Sequence, residues 1–200
     1  AYAETAAQLL EFAPNGKFVR EIGKNLYAWS FAHGVRVDAQ DNIWAIDKGS
    51  DMIIKFNQAG RVLWVFGRRV ESADEEAKPH EHPNPPLPHA DGLFRQPTDV
   101  AWDSKGNIYI SDGYINSRVA KFDKNGDWVK SWGSKGTGPG QFNLPHSIAI
   151  DPDTGEVLPD GAEGEDPGLG IDRLERGRLA DPKGPAEGAR AEGVDARHLP

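Results

Sequence analysis

"TDVAWDSKGNIYISDGYINSRVAKFDKNGDWVKSWG", Thr98 to Gly133, is the stretch whose reading decides the fold. Within it, "NIYIS" and "DWVKSW" alternate apolar and polar residues, which is the period of a half-buried strand. Polar segments such as "DSKGN" and "KNG" separate the alternating runs and put Gly or Asn where tight hairpins need positive φ. About four short antiparallel strands fit into this single stretch.

The stretch is one copy of a repeat. "EFAPNGKFVREIG", "KFNQAGRVLWVFG" and "KFDKNGDWVKSWG" share Phe12, Phe56 and Phe122, then Gly16, Gly60 and Gly126, then Gly23, Gly67 and Gly133, with no slip in spacing. A second half-unit recurs in "HGVRVDAQDNIWAID", "TDVAWDSKGNIYISD" and "HSIAIDPDTGEVLPD", which aligns Asp38 with Asp103 and Asp151, and Asp47 with Asp112 and Asp160. Phe12 to Phe56 is 44 residues and Phe56 to Phe122 is 66, so the surplus forms an insertion at about 68–93. Four antiparallel strands per unit of this length make the blade of a β-propeller, whose apolar faces are buried only when neighbouring blades stack on them. Trp44, Trp64, Trp102, Trp128 and Trp132 suit that packing. The expected architecture is all-β, with about three blades of a presumed six over residues 1–157.

Composition narrows the function classes. A formal net charge of −8 without a Lys/Arg-rich run argues against nucleic acid or an anionic membrane as partner. No apolar stretch is long enough to span a bilayer, so no membrane insertion is expected. With no cysteine, any transition-metal site has to use histidines and carboxylates. Phosphate-binding glycine loops and serine nucleophile elbows are missing from the text.

"QPTDVAW", "SDGYINSRVAKF" and "GPGQFNLPHSIAID" together resemble the peptidyl-α-hydroxyglycine α-amidating lyase branch of the NHL-repeat propellers, over roughly residues 8–155. The resemblance implies a six-bladed propeller with zinc in its central cavity, cleaving peptidyl-α-hydroxyglycine to a peptide amide and glyoxylate. It also implies calcium as a structural ion, with the backbone carbonyl of Val35 as a ligand, and a secreted or periplasmic setting. His33 and His146 occupy the same phase of their repeats, where the intervening copy carries Thr98. In a propeller that phase faces the channel, so the two imidazoles are expected to converge as zinc ligands although they are distant in sequence. Tyr114, in "DGYINSR", is by resemblance the catalytic tyrosine, acting on the substrate hydroxyl as general base. Asp112, Asn116 and Arg118 in the same segment are expected to tie the blade's turns together. The third histidine and the catalytic arginines of the lyases have no counterpart in this chain.

The insertion holds His80, His82 and His89, but a Pro-rich acidic loop lacks the preorganisation that a good ligand set needs. From Gly155 to Pro200 there is no aromatic residue, and eleven acidic residues face six basic ones, a composition that cannot bury enough apolar area to offset ordering. The repeat is therefore expected to stop near residue 155 and the tail, 158–200, to be disordered or irregular, as though the reading frame had shifted. Open blade edges would then favour self-association. An alternative from a different class is a non-catalytic propeller scaffold that binds a protein or a peptide.

Overall fold

A computed structural model describes residues 9–69 and 90–160. Most of the insertion, with His80, His82 and His89, lies outside the described residues, as does the tail beyond Asp160. In chain order the described strands are β1 (Leu9–Phe12), β2 (Phe18–Ile22), β3 (Ala32–Val37), β4 (Ile43–Asp47), β5 (Met52–Phe56), β6 (Val62–Gly67), β7 (Asp99–Trp102), β8 (Ile108–Asp112), β9 (Arg118–Phe122), β10 (Trp128–Trp132), β11 (Ile148–Ile150) and β12 (Val157–Pro159). Strands β3 to β6 form one four-stranded antiparallel meander and β7 to β10 a second, flanked by the two-stranded sheets β1–β2 and β11–β12. By the repeat, β1–β2 corresponds to β5–β6, and β11–β12 to β3–β4. The described residues thus comprise the outer half of one blade, two whole blades and the inner half of another.

One turn is used five times. In each, the first residue's N–H donates to a carbonyl four positions on, and its own carbonyl accepts from the residue three positions on: Ala13–Lys17, Asp38–Asn42, Asn57–Arg61, Asp103–Asn107 and Asp123–Asp127. The fourth residue has positive φ each time: Gly16 79°, Asp41 59°, Gly60 79°, Gly106 82° and Gly126 87°. That conformation costs Gly nothing and Asp little, which is why the sequence signals were readable. Asp38 and Asp103 reinforce their turns. Asp38 Oδ1 accepts from the N–H groups of Gln40 and Asn42, and Asp103 Oδ1 from those of Lys105 and Asn107. Each also receives a ring donor from the following strand, Trp44 Nε1 at 2.9 Å and Tyr109 Oη at 3.0 Å.

The blades are joined by apolar faces. Trp44, Ile46, Ile53 and Phe66 from one blade pack with Val100, Ile108, Ile110, Ala120 and Phe122 from the next, closed by Phe94 and rimmed by Trp64, Trp102 and Trp128. Ile22, Ala45, Ile54 and Phe56 join β1–β2 to the first full blade, while Ala101, Tyr109, Val119 and Ile148, with Trp132 and Phe142, join the second to β11–β12. The innermost strands β3, β7 and β11 are neighbours in that order. Asp99 on β7 ties them together: it accepts a bidentate pair from Arg36 of β3, at 2.8 and 2.6 Å, and the N–H of Ile148 on β11 at 3.2 Å.

Two details of the repeat differ from the expectation. Phe56 and Phe122 are buried, but their counterpart Phe12 is 55% exposed, because no described blade packs on that face of β1. Asp160 is not the structural equivalent of Asp47 and Asp112. The last turn runs from Asp151 to Glu156, one residue longer than Asp38–Asn42, and this shifts Asp160 opposite Ser147.

Burial alone would raise the Asp38 carboxyl, but donation from Trp44 and Asn42 and the Lys55 ammonium at 3.2 Å hold it at about 2. A folded-state value below the unfolded one stabilises the fold above about pH 4, and that stability disappears as pH falls towards about 2. Asp38→Asn is expected to lose about 2 kcal/mol at pH 7, with the difference from wild type vanishing near the acid limit in urea unfolding curves.

Candidate active site at the channel mouth

Three residues singled out in the sequence meet at the same end of the inner strands. His33 and His146 lie with ring centroids 6.0 Å apart and planes within 16° of parallel. Tyr114 sets its ring edge-on to both, 5.6 Å from His33 and 4.8 Å from His146. The Tyr114 hydroxyl and His33 Nε2 share a hydrogen bond of 3.2 Å. Their phase in the repeat brings them together: each imidazole stands at the start of an inner strand, and Tyr114 follows the second strand of the blade between them.

Each side chain is positioned by local backbone. His33 sits where the β3–β4 pairing skips a residue between Ala32 and Gly34, a bulge that re-aims its side chain. Behind it, Asp47 accepts from the N–H groups of Ser30, Phe31 and Ser50 and fixes the chain that enters β3. Thr98, which shares the phase of His33 and His146 in the intervening copy, is buried and acts as a strut. Its hydroxyl bonds the Pro145 carbonyl at 2.7 Å and Ser111 Oγ at 2.8 Å, steadying the residue just before His146. Asp160 accepts from the N–H groups of His146 and Ser147 at 2.7 and 2.6 Å, holding the start of the inner strand although its register has slipped.

Tyr114 rides on a clamped loop. Asp112 and Arg118, both fully buried, pair at 3.0 Å; Asn116 Nδ2 and the Arg95 N–H donate to the same carboxylate, and Arg118 also reaches the carbonyls of Ala90 and Leu93. This is the stapling expected of Asp112, Asn116 and Arg118. The Tyr114 N–H approaches the Gln96 carbonyl at 3.4 Å, and the Gln96 N–H donates to Asp51 at 2.6 Å, linking the loop to the preceding blade. At Gly113 a Cβ would lie 1.9 Å from the Pro145 carbonyl oxygen, so only glycine lets the Tyr114 loop approach the His146 segment this closely.

Sequence reading did not single out Lys48. Its ammonium lies 4.0 Å from the Tyr114 ring centroid and 4.6 Å from that of Phe31. Burial first, then Lys48 and His146, hold His33 below the ordinary imidazole value, against the Asp99 carboxylate and the Thr98 backbone, which favour its charged form. A neutral imidazole keeps a lone pair for a metal or a proton. Val35 lies on β3, whose inner edge has no paired strand among the described residues. Alternation along the ladder from the bonded Asp38–Asn42 pair turns the Val35 carbonyl away from β4, towards that edge.

The donor set suits zinc in kind and falls short in number. Two imidazoles are ordinary zinc ligands, but a catalytic zinc takes three protein ligands, and the described residues contain no group of three His, Cys, Asp or Glu side chains able to share an ion.

Comparison with known proteins agrees with this architecture. The NHL repeat family matches residues 94–122. A Bacteroides thetaiotaomicron protein of unknown function superimposes with a TM-score of 0.52 at 18% identity, over 74% of this chain and 38% of that one, a likeness of fold alone. Residues 94–122 thus carry an NHL repeat, in a chain built from β-propeller blades. Its sequence relatives include amidating enzymes and also NHL repeat-containing protein 3 of mouse, 29% identical over 163 residues, 72% of this chain and 40% of that protein. The rat peptidylglycine alpha-amidating monooxygenase is 32% identical over 145 residues, 69% of this chain and 13% of that enzyme. A probable peptidyl-alpha-hydroxyglycine alpha-amidating lyase of Caenorhabditis elegans is 27% identical over 137 residues, 67% of this chain and 34% of that protein. The chain therefore spans less than half the length of these relatives.

Gly113→Ala is expected to destabilise the fold by about 1–3 kcal/mol through overpacking and to weaken the Tyr114–His146 ring contact, visible as changed ring-proton shifts of both residues. Asp51 is pushed up to about 7, chiefly by burial and further by Asp112 and Asp47, against the Gln96 N–H and Arg95. A raised acid holds its proton longer in the folded state, so stability falls as pH climbs from about 4 to about 7. Asp51→Asn, which keeps the acceptor for Gln96, is expected to flatten that slope in unfolding midpoints measured from pH 5 to 8.

Proposed function

We propose that this chain carries part of the active site of a zinc-dependent lyase that cleaves peptidyl-α-hydroxyglycine into a peptide amide and glyoxylate. The observation that carries the reading is the meeting of His33, Tyr114 and His146 in one ring cluster from three successive blades. His33 and His146 are the residues that would hold the metal, with a further ligand from outside the described residues. Zinc, when bound, supplies Lewis acidity that polarises a substrate oxygen. Tyr114 removes the proton of the substrate hydroxyl. As that oxygen becomes the carbonyl of glyoxylate, the carbon–nitrogen bond breaks and the amide nitrogen takes up a proton. The clamped Asp112–Arg118 loop holds the phenol in place, so the proton acceptor is positioned before substrate arrives. The Val35 carbonyl, at the open edge of β3, is a candidate structural ligand for calcium. The partner in this reading is a hydroxyglycine-terminated peptide.

Metal analysis and turnover of a hydroxyglycine-terminated peptide test the reading together. Wild type supplemented with zinc is expected to retain it after dialysis and to release glyoxylate. His33→Ala loses the metal, whereas Tyr114→Phe keeps it and turns over at least about 100-fold more slowly. A wild-type chain that retains no zinc and releases no glyoxylate would leave the fold as a peptide- or protein-binding scaffold.

A further inference from the structure

Lys48 is the feature of the site that the lyase reading leaves unused. Its position is built rather than incidental. The Lys48 N–H donates to the Phe31 carbonyl at 3.0 Å, and the neighbouring Asp47 carboxylate grips the Ser30, Phe31 and Ser50 N–H groups. Gly49 has no room for a side chain, because a Cβ there would meet Phe31 at 2.7 Å and Ser30 Oγ at 2.8 Å. The equivalent position in the next blade is Gly113, where a Cβ is forbidden, so this blade alone of the two presents a long cation at that corner.

The ammonium also lacks a counter-ion. It rests on the faces of Tyr114 and Phe31, and among the described residues no carboxylate pairs with it. The nearby acids are engaged elsewhere: Asp47 on backbone N–H groups, Asp99 on Arg36 and the Ile148 N–H, and Asp160 on the N–H groups of His146 and Ser147. Aromatic faces hold a cation in place without neutralising it, which leaves its N–H groups free for an anion. The Tyr114 ring on which it rests is hydrogen-bonded to His33, so the ammonium borders the ring cluster.

We propose that Lys48, seated against the faces of Tyr114 and Phe31, forms a subsite for a small carboxylate, of the 2-hydroxy or 2-oxo acid class. Its substrate identity rests on the lyase reading: the anion is the C-terminal carboxylate of the hydroxyglycine residue, and Lys48 is the group that selects a free C-terminus. The ammonium donates to the carboxylate while Tyr114 faces the hydroxyl carbon. An esterified or amidated end forfeits that charge-assisted contact.

The test is titration of the chain with glycolate and with its neutral counterpart glycolamide, followed through the Tyr and His ring signals by NMR, with and without added zinc. Wild type is expected to prefer glycolate even without metal. Lys48→Gln is expected to lose about tenfold in glycolate affinity with glycolamide unchanged, and Lys48→Arg to retain most of the preference. Ring signals matching wild type in the unliganded Gln variant show that the site is intact. Equal glycolate binding by wild type and Lys48→Gln overturns the proposal, as does a wild type that does not distinguish the acid from the amide. A Lys48-dependent preference in a chain that neither holds zinc nor releases glyoxylate would refute the lyase reading and leave the carboxylate subsite standing.

Discussion

No blade of this protein can bury its own core. A four-stranded meander has two apolar faces, and each is covered only when the next blade stacks against it. The interface between the two complete blades, built on Trp44, Phe66 and Phe122, is the largest consequence, and the geometry of the site follows from it. Stacking brings β3, β7 and β11 side by side, so residues at the same phase of successive copies come to face a common axis. Phe12 shows the constraint from the other side: the same residue type in the same phase stays exposed where no blade covers it.

Polar groups set the stagger that apolar packing leaves loose. Apolar contact is non-directional, whereas the Asp99 carboxylate fixes Arg36 and the Ile148 N–H at hydrogen-bond distances. Thr98 does the same for the Pro145 carbonyl. These bonds decide how far one inner strand slides past the next, and therefore whether two imidazoles end in one cluster or at different heights. The Asp112–Arg118 pair adds a third fixed element by locking the loop that carries Tyr114. The pair is fully buried, so removing either partner would leave an uncompensated charge in the interior.

The repeat made much of this legible. Alternation and turn residues identified the strands, and the positive-φ glycines stand where "PNG", "QAG" and "KNG" placed them. His33 and His146 were found through their shared phase and the family resemblance, and the Trp residues by their recurrence. Other features left no such trace. Lys48 has no counterpart in the next blade, so the repeat could not flag it, and an isolated lysine after a strand reads as a solvated turn. Asp160 was assigned by spacing, but one extra residue in the Asp151–Glu156 turn moved it, because counting along the chain cannot see how many residues a turn consumes. Thr98 was noted only as the residue at the histidines' phase in the intervening copy, and its role as a strut left no sign in the sequence.

What the sequence determined by itself is everything governed by neighbours a few positions apart: strand period, turn conformation, the repeat and the phase of each candidate residue. Those properties follow from steric limits on φ and ψ and from side-chain alternation, which act locally. Only the tertiary structure decided which blade faces are covered, how the inner strands are staggered, and that a lysine from one blade rests on a tyrosine from the next. These depend on contacts between segments tens of residues apart, whose distances are set by the packing of whole sheets and not by any spacing along the chain.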